Sequence, residues 1–323
     1  MPNKIWRFFI FSILLLALTL AGCSQAGNSG GPSGDLSGTL TISGAFALYP
    51  MMTRWGEEFQ KLHPNVQFDT SAGGAGKGMS DALAGAVDIG MVSRAIHPEE
   101  VDKGAFWVSV TKDAVFLALN EENPVWADIH QRGVTKETLI DIYITGKITT
   151  WGQVVGKPEI TDPIHVFTRS DACGASDAWA GYLGGKKQEN LKGIGVFGDP
   201  GLLDAVAKDP LGIGYNNLNY AFDAATGLPV KGTHVGPLDV NGNNQADPDE
   251  IYDTKAQAIK AIATGKYPSP PARDLNLVTK GKPGGLTAEF IKWILTDGQK
   301  YVDEVGYIPL TAEQLKTELG KLE

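Results

Sequence analysis

Between residues 38 and 94 the chain repeats one order of segments, and that order limits the fold more than any other feature. Thr39-Leu40-Thr41-Ile42 alternates polar and apolar residues, the period of a strand. Gly44-Ala45-Phe46-Ala47-Leu48-Tyr49 turns the chain, and Pro50 suits the first position of a helix. Met52, Trp55, Phe59 and Leu62 follow at spacings of three and four, one helical face, which Pro64 ends. Val66-Gln67-Phe68-Asp69 reads as a second strand. Ser71-Ala72-Gly73-Gly74-Ala75-Gly76-Lys77-Gly78 is a glycine-rich turn into a helix through Met79, Ala82 and Leu83. Val87-Asp88-Ile89-Gly90-Met91-Val92 is a third strand, ending at Ser93-Arg94. This β-α-β-α-β order predicts an α/β fold with a mainly parallel, doubly wound sheet and ligands at the carboxyl ends of its strands. The turn at 71–78 lacks the Lys-Ser/Thr pair of a P-loop, and its glycine spacing is not a dinucleotide fingerprint.

A second strand-turn-helix junction carries charge. Ile164-His165-Val166-Phe167 alternates like a strand, and Asp177-Ala178-Trp179-Ala180 reads as the start of a helix. Between them lies Arg169-Ser170-Asp171-Ala172-Cys173-Gly174-Ala175-Ser176. The first N–H groups of a helix lack partners within it, and the helix dipole adds partial positive charge there. Small residues let an anion approach the backbone, and Arg169 adds a full charge with a bidentate fork. The segment predicts an anion site, with an ordinary strand-to-helix turn as the plainer alternative.

The amino terminus is a different kind of sequence. Lys4 and Arg7 precede an apolar run, Phe8 to Leu20, that is short for a membrane span of about 20 residues. Leu20-Ala21-Gly22-Cys23 resembles the lipobox of bacterial lipoproteins. That implies a signal peptide at 1–22, export, and acylation of Cys23, which anchors the chain to the bacterial cell membrane at its outer face or in the periplasm. Residues 23–37, rich in Gly and Ser, read as a flexible tether. With Cys23 lipidated, Cys173 has no partner for a disulfide. The net charge of −9 argues against a nucleic-acid partner.

Further short pieces complete a pattern: Gly212-Ile213-Gly214-Tyr215, Leu277-Val278-Thr279-Lys280-Gly281-Lys282-Pro283 and Gly306-Tyr307-Ile308-Pro309-Leu310. Together with the turns above, in one order from about residue 38 to 315, they resemble the substrate-binding lipoproteins of bacterial phosphate ABC transporters. The resemblance implies a two-lobe periplasmic-binding-protein fold, with doubly wound mixed sheets joined by two crossing strands and the anion closed between the lobes. It places one lobe at 38–118 and 276–323 and the other at 119–275, with Val115-Phe116-Leu117-Ala118-Leu119 and the run 275–279 as the crossings. It implies capture of phosphate or a similar small oxyanion, delivery to an ABC permease with its ATPase, and a monomer. A competing reading is a ligand-sensing receptor of the same fold, for a different and thiophilic anion, not coupled to transport.

The resemblance also assigns residues. Backbone N–H groups of Ala47, Leu48 and Tyr49 would meet the anion, as would the turn at Ala75 and Gly76, then Ser93 and Arg94, and finally Arg169, Asp171, Cys173, Gly174 and Ala175. The family's usual hydroxyls are missing at Ala75, Cys173 and Ala175. A hydrogen bond to a charged group is worth about 1.5–3 kcal/mol, so three losses amount to about 4.5–9 kcal/mol. Micromolar binding is only about 8 kcal/mol. Either arginine and backbone N–H groups hold phosphate, with Ser71, Ser93, Ser170 or waters filling in, or the ligand is another small anion or an uncharged molecule. Asp171 is the nearest acceptor for a proton on hydrogenphosphate. Cys173, at a helix start beside arginine, is expected to have a lowered pKa and to be reactive; the alternative is a small buried thiol in place of serine. An enzyme would need a histidine beside it, and His165 on the preceding strand comes with no separate oxyanion hole. The sequence therefore points to a binding protein, not an enzyme, with no catalytic cofactor.

One more motif stands apart. Residues 239–250 carry side-chain oxygens at loop positions 1, 3, 5, 9 and 12, namely Asp239, Asn241, Asn243, Asp247 and Glu250, with the Gln245 carbonyl at position 7. This is the spacing of an EF-hand loop and predicts a structural calcium ion. Asn244 stands where glycine is expected, and asparagine tolerates the left-handed backbone. A helix from Ile251 onwards, through Ala256, Ile259 and Ile262, is expected after it. Thr296-Asp297-Gly298-Gln299 reads as a capping box for a helix carrying Tyr301 and Val305. Trp107, Trp126 and Trp151 read as packing residues, and Tyr215 and Asn216 as neighbours of the cleft.

Overall fold

The computed structural model describes residues 36–323, so the signal-peptide and Cys23 readings, and nearly all of the tether, lie outside the described residues. Strand period and burial agree from the first element. β1 (Gly38–Gly44) turns Leu40 and Ile42 into the core and leaves Thr39 and Thr41 outside it. α1 (Tyr49–Leu62) buries Met51, Met52, Trp55 and Phe59, but Leu62, assigned to the same face by spacing, is exposed where the helix ends. β2 (Val66–Ala72) follows, then α2 (Ala75–Ala84), which stops at Gly85 in the left-handed conformation. β3 (Ile89–Val92) is buried at every position, which explains its unbroken apolar composition. β1 pairs in parallel with both β2 and β3.

β4 (Ala105–Asn120) is the spine of the molecule, 16 residues long. After it come β5 (His165–Arg169), α3 (Gly174–Tyr182), β6 (Ile194–Val196), α4 (Gly198–Ala207), β7 (Gly212–Asn217), β8 (Thr233–Gly236), α5 (Lys255–Ala263) and β9 (Ala272–Lys280). β9 runs antiparallel to β3 on one side and to β4 from Ala105 to Ala114 on the other. The rest of β4, from Val115, pairs instead with β7 and β8. β5 lies parallel to β7 and β6.

One strand thus serves two sheets, and the apolar residues divide accordingly. One core gathers residues between Leu40 and Val110 and between Leu275 and Leu322. A second gathers residues between Ala114 and Ala272, joined by Ile308. The change-over falls between Val110 and Ala114 on β4 and between Ala272 and Leu275 on β9, so Val115-Phe116-Leu117 and Leu119 pack wholly in the second core. These two cores define the first and second lobes.

The carboxyl-terminal helices α6 (Gly285–Leu295) and α7 (Lys300–Val305) close the first lobe. Trp55 of α1 is fully buried and donates its indole N–H to the Gly298 carbonyl at 2.8 Å, tying α1 to the turn between α6 and α7. The expected capping box at Thr296 does not form. The Thr296 hydroxyl bonds back to the carbonyls of Lys292 and Trp293, finishing α6, while the Gln299 amide donates to the Val110 and Ile294 carbonyls. Trp151 is buried, whereas Trp126 stacks on His234 with ring centres 3.9 Å apart.

Candidate functional site

Arg169 ends β5, where the alternation of the strand points it inward between the lobes. Its side chain is only 1 % exposed. Nε and Nη2 donate to the two oxygens of Asp171 at 2.8 and 2.6 Å, and Nη1 donates to Asp199 Oδ2 at 2.7 Å. A guanidinium has five N–H donors and these bonds spend three, leaving one on each Nη. Burial works against the Arg169 charge, but the carboxylates of Asp199 and Asp171 outweigh it and hold the pKa above the ordinary arginine value. Burial pushes the Asp199 carboxyl up, against the pull of Arg169.

Three turns converge on this group. Phe46, in the turn after β1, places its ring 5.4 Å from the Arg169 guanidinium carbon and meets Phe197 edge-on at 6.0 Å. The start of α2 touches the second lobe directly, because the Gly76 N–H donates to the Ala172 carbonyl at 3.0 Å. The start of α3 lies against the end of β3. A methyl group on Gly174 would sit 2.1 Å from the Ser93 carbonyl oxygen, so only glycine permits this approach. Two helix N-termini, α2 and α3, thus face one cleft with a buried arginine beside them. That arrangement suits an anion.

The residues named from sequence fall into this cleft unevenly. Ala75, Ser93, Gly174 and Ala175 are buried there. Leu48 and Tyr49 spend their N–H groups within their own turn, on the Ala45 and Phe46 carbonyls, and Ala47 accepts from the Tyr307 hydroxyl at 2.7 Å. Arg94 is committed to Glu100 through two hydrogen bonds and reaches Asp177 across the cleft at 3.4 Å. It borders a cavity of about 610 Å³ between the lobes, with Trp107, Lys187, Pro270 and Arg273. The Ser176 hydroxyl is taken up by Tyr215, whose own hydroxyl also meets Thr168.

Cys173 departs from expectation. Its thiol was expected to be acidic and reactive, yet it is 4 % exposed, and burial pushes it up to about 11. Arg169 pulls the other way, but Asp171 and Asp199 already offset that charge. The sulfur accepts the Ser176 N–H at 3.4 Å and so caps α3, the task a serine would perform.

Apart from Asn216, sequence reasoning missed the polar residues behind Arg169. Asp199 Oδ1 accepts from Asn217 Nδ2 at 2.5 Å, and the Asp199 carbonyl accepts from Asn216 Nδ2 at 2.9 Å. Arg273 donates to Asn217 Oδ1 and lies 3.4 Å from Asp113. Burial raises Asp113 to about 6 despite Arg273. Asp113 follows Thr111-Lys112, and Asn217 lies between Asn216 and Asn219, so neither stands out as a polar residue in an apolar run.

The loop at 239–250 is closed by hydrogen bonds of its own. Asn244 has φ of 60°, the one non-glycine residue with positive φ among the described residues. Asp239 accepts the N–H groups of Gly242, Asn243 and Asn244, and Glu250 those of Val240 and Asp247. Asn241 and Asn243 both donate to Asp247 Oδ2. Asp239 and Glu250 are buried, and the loop's one ion pair among the described residues is Asp249 with Lys266. No three His, Cys, Asp or Glu side chains converge as a metal set among the described residues, so any cation here would depend on amide and carbonyl oxygens as well. The following helix, α5, begins only at Lys255.

Two α/β lobes joined by paired strands, with small-residue turns and a buried arginine facing the gap, define the class of two-lobe ligand-binding proteins. A family model described as a PBP superfamily domain matches residues 29–298, and the chain belongs to that superfamily. It is 29 % identical over 306 residues to the phosphate-binding protein PstS of Bacillus subtilis, covering 93 % of this chain and 91 % of the relative. The PstS of Methanocaldococcus jannaschii is 27 % identical over 364 residues, covering 95 % and 92 %. Among solved structures, a phosphate ABC transporter substrate-binding protein from Clostridium perfringens with bound phosphate superposes with TM-score 0.68 at 25 % identity, covering 85 % of this chain and all of that one. A phosphate transport receptor from Vibrio cholerae gives TM-score 0.60 at 21 % identity over 84 % of this chain and all of its own.

Proposed function

We propose that this chain captures phosphate between its lobes and delivers it to an ABC permease, as a binding protein and not an enzyme. The observation that carries the reading is the meeting of two helix N-termini with buried Arg169, whose two remaining N–H groups suit an oxyanion. The names of the relatives, phosphate-binding protein and phosphate ABC transporter substrate-binding protein, support it. Arg169 lies between two carboxylates, so the three groups carry one excess negative charge. Affinity then rests on hydrogen bonds rather than net charge, and a ligand that donates a proton gains an acceptor. Asp171 supplies it: its Oδ2 would lie 2.9 Å from a methyl group on Gly74, at the face of the first-lobe turn. This favours hydrogenphosphate over sulfate. The buried, neutral Cys173 removes the ground for a thiophilic ligand.

The same reading places the chain outside the cytoplasm, as a monomer tethered through lipid on Cys23. It also gives the loop at 239–250 a structural calcium ion, which would offset the buried carboxylate charge of Asp239 and Glu250, balanced in the structure by backbone N–H groups alone. Calorimetric titration of the chain without residues 1–35 tests the ligand. Micromolar phosphate binding that is lost in Arg169→Ala, with sulfate about 5- to 150-fold weaker, is expected, since an oxyanion that brings no proton to the buried Asp171 carboxylate forfeits a charged hydrogen bond worth about 1–3 kcal/mol. A folded protein that ignores phosphate would sink the assignment.

A further inference from the structure

The ligand-facing arginine is joined to the strands between the lobes by an unbroken line of buried polar groups. Arg169 donates to Asp199 Oδ2 at 2.7 Å, and Asn217 donates to Asp199 Oδ1 at 2.5 Å. Arg273 donates to Asn217, and it faces Asp113 in cross-strand register on β9 and β4. The side chains of Arg169, Asp199, Arg273 and Asp113 are each at most 8 % exposed. Arg273 and Asp113 stand between the last residues of one core and the first of the other, where β4 and β9 change lobes. Their pairing is loose, at 3.4 Å, and both Arg273 Nε and Asp113 Oδ1 are buried without a hydrogen-bond partner. Further along the line Asp199 uses both carboxylate oxygens, and Asn217 uses both its amide oxygen and its amide nitrogen. Rearrangement therefore costs least at the crossing, and each bond along the line passes the change to Arg169.

We propose that Asp199 is a positioning residue that, held by Asn217 and Arg273, couples the angle between the lobes to the setting of the Arg169 guanidinium. The affinity arm of this inference rests on the phosphate reading above. Asp199 touches no ligand in this scheme. It fixes Nη1 of Arg169, while Asp171 fixes the opposite edge, so the two free N–H groups hold one direction.

The test separates the two readings. Asn217→Ala and Arg273→Met are each expected to weaken phosphate binding about tenfold, and the double variant no more than either alone, because both cut one line. Arginine side-chain ¹⁵N resonances of the ligand-free protein give a second readout that needs no phosphate. The Arg169 Nη signals stay distinct in the wild type and merge through faster rotation in both variants, while Arg273→Lys, which keeps one donor, restores part of the separation. Unmerged Arg169 signals in Asn217→Ala, or losses of affinity that simply add, would overturn the coupling. If wild-type protein fails to bind phosphate but the resonances merge as described, the positioning role stands and the ligand assignment falls.

Discussion

Gly174→Ala should hold the lobes apart without harming either one. Gly174 opens α3 and is not among the glycines of positive φ, so alanine fits its backbone. The added methyl would lie 2.1 Å from the Ser93 carbonyl oxygen and 2.4 Å from its hydroxyl, where contacts under 3.0 Å are essentially never seen. At least 0.9 Å must be found (3.0 − 2.1). Ser93 is 2 % exposed and follows β3 at the edge of the first core, so its backbone cannot yield cheaply. The lobes must part instead, which strains the Gly76 to Ala172 hydrogen bond nearby. Overpacking of this kind costs about 1–3 kcal/mol. Because it falls on the closed form alone, phosphate affinity should drop about 5- to 150-fold. Gly181→Ala on the same helix is the control, since its methyl meets Pro270 at an ordinary 3.5 Å. Calorimetric titration gives the affinity and urea unfolding gives the stability. Affinity within twofold of wild type would refute the reasoning. A matching fall in the urea midpoint would refute it differently, by showing that the second lobe itself was damaged.

The other expectations concern charge and the calcium loop. Burial lifts Asp113 from 3.8 to about 6, so the stability associated with its protonated form is complete below the unfolded value and is lost as pH climbs through 6. A shift of about two units is worth about 3 kcal/mol, so Asp113→Asn should gain on wild type between pH 5 and pH 7.5 in calorimetric melts; a difference independent of pH would contradict the assignment. With its thiol near 11, Cys173 is thiolate in about one molecule in ten thousand at pH 7, and native protein should label with iodoacetamide far more slowly than protein in urea. Equal labelling rates would show the thiol to be accessible. Calcium at a hundred times its Kd should add about 2.7 kcal/mol of stability, an increment abolished by chelator and by Glu250→Gln. A melting temperature indifferent to calcium would leave the loop as a hydrogen-bonded turn.

Much of the fold was legible because period and punctuation agreed. β1, α1, β2, α2 and β3 lie where alternation, helical spacing, Pro50 and the glycine turns place them. The Arg169 turn was legible for the same reason, as charge in a run of small residues between a strand and a helix. The pairing of β9 with β3 and β4 was not, since nothing local in residues 272–280 names partners so distant in sequence. Leu62 misled because spacing alone cannot say where a helix leaves the core. Asp199 was hidden in Gly198-Asp199-Pro200, which reads as an ordinary helix start, and its true role depends on Asn217 and Arg273 arriving from other strands. Cys173 was misjudged because sequence shows the arginine beside it but not the carboxylates that offset it.

The insertion of β9 between β3 and β4 also sets an order of events during synthesis. β3 ends at Val92 and β9 begins at Ala272, 180 positions later (272 − 92). The first strands to leave the ribosome therefore wait for one of the last before their sheet is whole. Closing so long a loop costs entropy before any contact repays it, which makes the first lobe slow to finish. A chain that stays unfinished until nearly all of it exists remains threadable for that time. The strand order that places Arg273 behind Arg169 thus also keeps the first lobe open until nearly the whole chain has been made.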